Sequence, residues 1–222
     1  MDKRFWGVIG VIVLLFGGAI FMNNRQSAAP VVGVTQHYMG NLQSKVTLTE
    51  YGDYQCPACS SFFPTVQSVK QKYESTVRFQ FRNLPLTSLH PNAYAGARAA
   101  EAADLQGKFW EMHDAIYENQ DPRGQSGWVV SKEPLNEYFV KFATSLGLNI
   151  EKFKKDFASA TVNTRINADL DAFKATKEPL STPTFFINDK KVDSKKLLDD
   201  KGQPSVEKFS KVLDDALAAQ NK

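Results

Sequence analysis

Hydrophobic and polar positions change period several times along this chain, and the changes mark its elements. In "KVTLTEY" the side chains alternate: Val46, Leu48 and Glu50 face one way, and Thr47, Thr49 and Tyr51 the other. Period two predicts a strand. From Pro57 to about Tyr73 the period becomes helical, with Phe62, Val66, Val69 and Tyr73 spaced by four, three and four. Pro64 falls inside that run and is expected to kink it. "VRFQFRNLPL" returns to alternation, with Val77, Phe79 and Phe81 on one face. A long helical stretch follows over residues 90–177. It includes the Ala-rich "PNAYAGARAAEAADLQG" and a stripe of Phe109, Met112, His113 and Ile116, and a Gly/Pro-containing loop over 120–134 interrupts it. Gly107 and Gly147 are placed as helix stops. Strands reappear at "TPTFFIND" and "KKV", with Asn188-Asp189 as a hairpin turn. The last predicted helix, "SVEKFSKVLDDALAA", has Ser205 as N-cap and Val206, Phe209, Leu213 and Leu217 as its apolar stripe.

The order is strand–helix–strand, helical block, strand–strand–helix. A small α/β domain with a helical insertion accounts for it with the fewest assumptions. The expected division is an N-terminal membrane anchor over 1–26 and a linker over 27–44. A first α/β part covers 45–89, the inserted helical domain 90–177 and the second α/β part 178–222. Residues 27–44 read as linker because Asn, Gln, Ser, Pro and Gly recur there without a period.

The first residues set the compartment. Phe5 to Met22 is an uncharged run of 18 residues, and as a helix it would span roughly 27 Å, close to a bilayer's hydrocarbon core. A cleavable signal has a shorter apolar region. The nearest small-x-small site, at Ser27-Ala28-Ala29, is followed by Pro30. An uncleaved anchor through residues 5–22 is the expectation, and a cleaved, secreted form the alternative. Lys3 and Arg4 precede the span, so the positive-inside rule puts the rest of the chain outside the cytoplasm. Disulfide chemistry persists there. Composition adds only exclusions: 27 Lys and Arg against 24 Asp and Glu give a net charge of +3, with no clustered basic footprint for nucleic acid. Nothing in the sequence asks for more than a monomer.

The chain has two cysteines, Cys56 and Cys59, where the first strand hands over to the helix. Cys-x-x-Cys fits a redox or a metal role. A disulfide closing so short a loop constrains the unfolded chain very little, so a structural staple explains little. A metal site needs two more ligands, and His37, His90 and His113 are scattered. The redox reading has a mechanism. Free N–H groups and the dipole at a helix start stabilise a thiolate at Cys56, making it the attacking, exposed sulfur. Cys59 lies one turn on, beneath it. Pro57 suits a first helical position. Glu50 shares a strand face with Val46 and Leu48. Either it is buried with a raised pKa, placed to relay protons for Cys59, or it reaches solvent from the strand end. Taken alone, the Thr182–Pro183 bond reads as trans on base rates. Phe109, Trp110 and His113 read as core, and His90 before Pro91 as part of a helix start.

Together, "EYGDYQCPAC", Pro64, "RNLPL", "HPNAYAGARAAEAADLQGKFWEMHDAIYENQ" and "TPTFFIND" resemble the DsbA-type thiol–disulfide oxidoreductases of the thioredoxin superfamily, over about residues 37 to 192. The resemblance implies a thioredoxin-like fold with an inserted helical domain. It implies that Cys56 is the nucleophile, Cys59 its buried partner and Glu50 the proton relay. Pro57 and Ala58 would contact substrate. Pro183 would follow a cis bond, with Thr182 offering backbone groups to an extended substrate. No cofactor beyond the Cys56–Cys59 disulfide is implied. The implied partners are unfolded secreted polypeptides bearing cysteines, and a quinone-linked membrane reoxidase of the DsbB or vitamin-K-epoxide-reductase type. The expected activity is disulfide introduction. Alternatives are a reductase or isomerase of the same fold, or a non-catalytic tethered chaperone or metal-binding module. Two departures bear on this: Ala58 stands where strongly oxidising members have histidine, and Leu180-Ser181 precedes Thr182.

Overall fold

A computed structural model describes residues 33–220. Its frame is a five-stranded sheet in the order β1-β3-β2-β4-β5. The strands are β1 (His37–Gly40), β2 (Thr47–Gly52), β3 (Arg78–Asn83), β4 (Thr184–Ile187) and the two-residue β5 (Lys190–Lys191). β2 and β3 run parallel, joined by helix α1 (Pro57–Lys72), and the other pairs are antiparallel. Helix α1 runs unbroken through Pro64. On one face of the sheet α1 and the closing helix α7 (Val206–Gln220) bury Leu48, Phe62, Val66, Val69, Phe79, Phe185, Phe209 and Leu213. Ser205 Oγ accepts the Lys208 N–H at the start of α7. Asn188 turns the β4–β5 hairpin at φ +54°, a conformation Asn tolerates better than most residues.

The helical block comprises α2 (Ala93–Asp104), α3 (Phe109–Glu118), α4 (Val140–Ser145), α5 (Ile150–Phe157) and α6 (Ala160–Ala175). Gly107 and Gly147 follow α2 and α4 at φ +73° and +72°, where a Cβ would be strained. The loop expected over 120–134 is partly core, because Trp128 is fully buried and its indole N–H donates to the Ile116 carbonyl at 3.2 Å. The stretch before α4 is a wide π turn, Leu135–Phe139, rather than a continuous α-helix.

One expectation needs correction. The segment read as linker over 27–44 contributes β1, which pairs with β3 in the register His37↔Phe81. Four residues paired on one side leave no hydrophobic period to detect. A polar contact buries the strand instead. His37 Nε2 lies 2.6 Å from Glu101 Oε1, and its ring stacks on Phe109 at 3.4 Å between centroids. Glu101 is itself wholly buried, held also by Asn83 and Arg165. The proposed anchor, residues 5–22, lies outside the described residues. Among the described residues no helix is long and apolar enough to cross a membrane.

Candidate active site

Cys56 is the N-cap of α1, in extended backbone at φ −68° and ψ 123°, and Pro57 takes the first helical position. A residue there turns its side chain back over the first free N–H groups of the helix. The Cys56 pKa falls to about 6. The Cys59 thiol, which hydrogen-bonds the Cys56 sulfur, is the largest cause. Burial opposes it, and Thr182 and the N–H groups of Cys59 and Ala58 assist. Cys59 is fully buried, and burial pushes its thiol well above the ordinary range. Its sulfur also accepts the Asp53 N–H at 3.5 Å. No disulfide joins the two sulfurs in this structure, so these shifts describe the dithiol form. The pair is therefore divided: one sulfur is an anion near neutral pH, and the other holds its proton.

Cys56 is less exposed than its position at a helix start suggested, at 7%. The chain around Thr182 covers it, and its sulfur sits 3.5 Å from the Thr182 carbonyl oxygen. The Thr182–Pro183 peptide bond is cis, and β4 starts at the next residue. The Thr182 hydroxyl is buried without a hydrogen-bond partner, and Thr182 is among the groups that lower the Cys56 pKa. Pro57 and Ala58 are exposed on the outer side of the turn.

Glu50 occupies the middle of the central strand, flanked by Phe81 of β3 and Phe185 of β4. It is 9% exposed, so it does not reach solvent from the strand end. Burial raises its pKa to about 7, Lys70 pulls the other way, and Cys56 adds to the rise. Glu50 in turn helps raise the Cys59 pKa. A carboxyl that titrates near neutrality can give or take a proton on the same site in each half of a redox cycle.

Several residues that hold this site carried no signal in the sequence. Asp53, fully buried, accepts from the Gln55 N–H at 2.7 Å and the Leu86 N–H at 2.9 Å, and its other contact is His90 Nδ1 at 2.8 Å. His90 therefore braces the active-site turn rather than serving only a helix start. Gln120 donates to the Tyr54 and Cys56 carbonyls at 2.8 and 3.2 Å, and Gln55 donates to the Val129 carbonyl at 2.8 Å. These bonds tie the turn to the helical block across more than sixty residues of sequence, a distance no local pattern spans. Both cysteines belong to the same buried cluster as the helical block's Met112, Ile116 and Trp128.

Fold and site together define a thiol–disulfide oxidoreductase of the thioredoxin superfamily. A family model described as Thioredoxin (Thioredoxin_4) matches residues 33–215, and the chain belongs to that family. Among solved structures it is similar to a thioredoxin-like oxidoreductase from Silicibacter pomeroyi DSS-3. That match has 26% identity and a TM-score of 0.62, and covers 81% of this chain and 90% of that one. Oxidised BdbD from Bacillus subtilis shares 24% identity at a TM-score of 0.64, over 82% of this chain and 93% of that one. The thiol-disulfide exchange protein alpha-DsbA2 from Wolbachia pipientis shares the fold at 16% identity and a TM-score of 0.63, over 97% and 100%. Among curated proteins, the Na(+)/H(+) antiporter NhaA 3 of Salinispora tropica is 37% identical over 159 residues, 72% of this chain and 22% of that protein. NhaA 1 of Mycolicibacterium gilvum is 32% identical over 204 residues, 86% of this chain and 31% of that protein. The chain thus spans under a third of these relatives' length.

Proposed function

We propose that this chain is an extracytoplasmic oxidase that introduces disulfides into secreted or surface proteins at Cys56-Pro57-Ala58-Cys59. The observation that carries the direction is the stabilised Cys56 thiolate. A stabilised thiolate favours the reduced form, so the Cys56–Cys59 disulfide is the stronger oxidant. A substrate thiolate attacks Cys56 Sγ in the oxidised protein, and the Cys56–Cys59 bond breaks. Cys59 leaves as a thiolate and takes the proton of Glu50. A second substrate thiolate then attacks the substrate sulfur of the mixed disulfide, and Cys56 leaves as the stabilised anion. The substrate has lost two electrons, and the Cys56–Cys59 pair has gained them. A quinone-linked membrane reoxidase of the DsbB or vitamin-K-epoxide-reductase type would remove them, and a span over residues 5–22 would hold a monomeric catalytic domain beside it. Ion transport forms no part of this proposal, because the chain spans so little of the antiporter relatives.

Unfolded polypeptides suit the surface around Cys56. Leu89, Val130 and Leu180 are 70%, 52% and 59% exposed. Each adjoins the site: Leu180 lies two residues before Thr182, Val130 follows the Val129 carbonyl bound by Gln55, and Leu89 precedes His90. Exposed apolar side chains beside an extended segment favour a substrate that still exposes its own. One observation favours a reductase or isomerase: the Ala58 side chain supplies no polar group to the thiolate, which receives only the backbone N–H of that residue. Trapping tests the proposal. Cys59→Ala, produced with its oxidising compartment intact, should accumulate mixed disulfides with cysteine-containing secreted proteins, and Cys56→Ser should abolish them. An unmodified Cys59→Ala would rule out turnover.

A further inference from the structure

Glu50 is too deeply buried to exchange its proton with bulk water directly, so the relay needs a connection outward. A cavity of about 10 Å³ lies against it, lined among others by Glu50, Lys70, Trp110 and His113. That is about the smallest space that holds one water, and a buried water needs two to four polar partners. Three residues that can supply them, Glu50, Lys70 and His113, line the cavity. His113 is 2% exposed, its Nδ1 is 2.8 Å from Asp114 Oδ1, and its Nε2 is buried without a protein partner. Asp114 is one-third exposed and lines a surface hollow of about 280 Å³ with Gln67, Lys70, Gln71, Glu74 and Trp110.

We propose that His113, with Asp114 behind it, is the solvent-side half of the proton path to Glu50, acting through a single water held between Glu50 and His113 Nε2. This rests on the relay reading of Glu50. Since Asp114 accepts from Nδ1–H, the bare Nε2 is an acceptor. Burial keeps the imidazole neutral, with its pKa lowered to about 4. When the enzyme disulfide forms, Cys59 passes its proton to Glu50. The water carries that proton to Nε2, and Nδ1–H passes to Asp114 and then to solvent. The ring now bears its proton on Nε2. When a substrate reduces the disulfide, Asp114 returns a proton to Nδ1, and Nε2–H travels inward through the water to Glu50 and Cys59. One proton leaves and one enters per cycle, and the two half-reactions restore each other's tautomer without a ring flip.

The charged and titratable neighbours are Lys70, Cys56, Cys59, Tyr54 and Tyr117 around Glu50, and Asp114, Lys70 and His37 around His113. His113 and Asp114 act through Glu50, so they are positioning residues, and their test must separate proton supply from folding. Reduced protein is mixed with stoichiometric dithionitrobenzoate. Cys56 attack releases the first coloured thiolate. Deprotonated Cys59 then attacks Cys56 and releases the second. His113→Phe, which suits the aromatic cage, and Asp114→Asn should slow the second release at least tenfold at neutral pH and leave the first within twofold. Asp114→Glu should restore the second. Wild-type second-phase rates in both His113→Phe and Asp114→Asn, with Glu50→Gln slow, would overturn the path and leave the relay standing. A wild-type rate in Glu50→Gln would remove the relay and this path with it. Both phases slowed alike in His113→Phe, with Asp114→Asn unaffected, would also overturn the path.

Discussion

Replacing Thr182 with valine isolates one component of the thiolate trap. The side chains are nearly the same shape, so the change removes a hydroxyl from beside Cys56 and little else. That hydroxyl is buried without a hydrogen-bond partner, so it is free to donate to the thiolate, and Thr182 helps lower the Cys56 pKa, which stands at about 6. A hydrogen bond to a charged group contributes about 1.5–3 kcal/mol, or about one to two pKa units. Thr182→Val should therefore raise the Cys56 pKa to about 7–8. The potential moves less than the full hydrogen-bond energy. At pH 7 a pKa of about 6 stabilises the reduced form by RT ln(1 + 10), about 1.4 kcal/mol, and a pKa of about 7.5 leaves about 0.2 kcal/mol. The difference corresponds to about 25 mV for a two-electron couple. Ultraviolet thiolate absorbance against pH gives the first value, and glutathione equilibration the second. A variant whose Cys56 still titrates at about 6 would refute the role given to the hydroxyl.

Two further outcomes concern pH and stability. The Glu50 pKa is about 7 in the fold against an ordinary 4.5, so between these values the folded state binds more protons than the unfolded one and stability falls as pH rises. Glu50→Gln should stabilise the reduced protein by about 3 kcal/mol at pH 8 and by little at pH 4, measured by urea unfolding. The His37 pKa is raised from 6.5 to about 9; burial opposes the rise, and Asp104 and Glu101 produce it. Its contribution to stability is complete below pH 6.5 and is lost as pH rises through about 9. His37→Gln should flatten that part of the profile, and a wild-type slope in the variant would contradict the assignment.

What was legible in the sequence was local. Alternation marked β2 and β3, and spacing marked α1 and α7. The two cysteines sit at a strand-to-helix boundary that α1 confirms. Glu50 shares a face with Leu48, yet a strand-end glutamate reaching solvent fits the same pattern, and the fold decides for burial. What escaped was long-range and polar. β1 is held by His37 against Glu101, sixty-four residues away. Asp53 resembled any turn aspartate until Leu86 and His90 came to it. Lys70 resembled a solvated helix lysine, yet it is 6% exposed and its ammonium lies 4.4 Å from the Trp110 ring centroid. Buried polar groups are specified by partners that only the fold assembles, and a residue-by-residue period does not report them.

Direction is the central claim, and equilibration with a glutathione redox buffer tests it most directly. A Cys56 pKa about one unit below thioredoxin's value of about 7 adds roughly 20 mV at neutral pH by itself. The account therefore predicts a potential for the Cys56–Cys59 couple more oxidising than about −250 mV, against about −270 mV for thioredoxin. A value at or below about −270 mV would contradict it and make the chain a reductase.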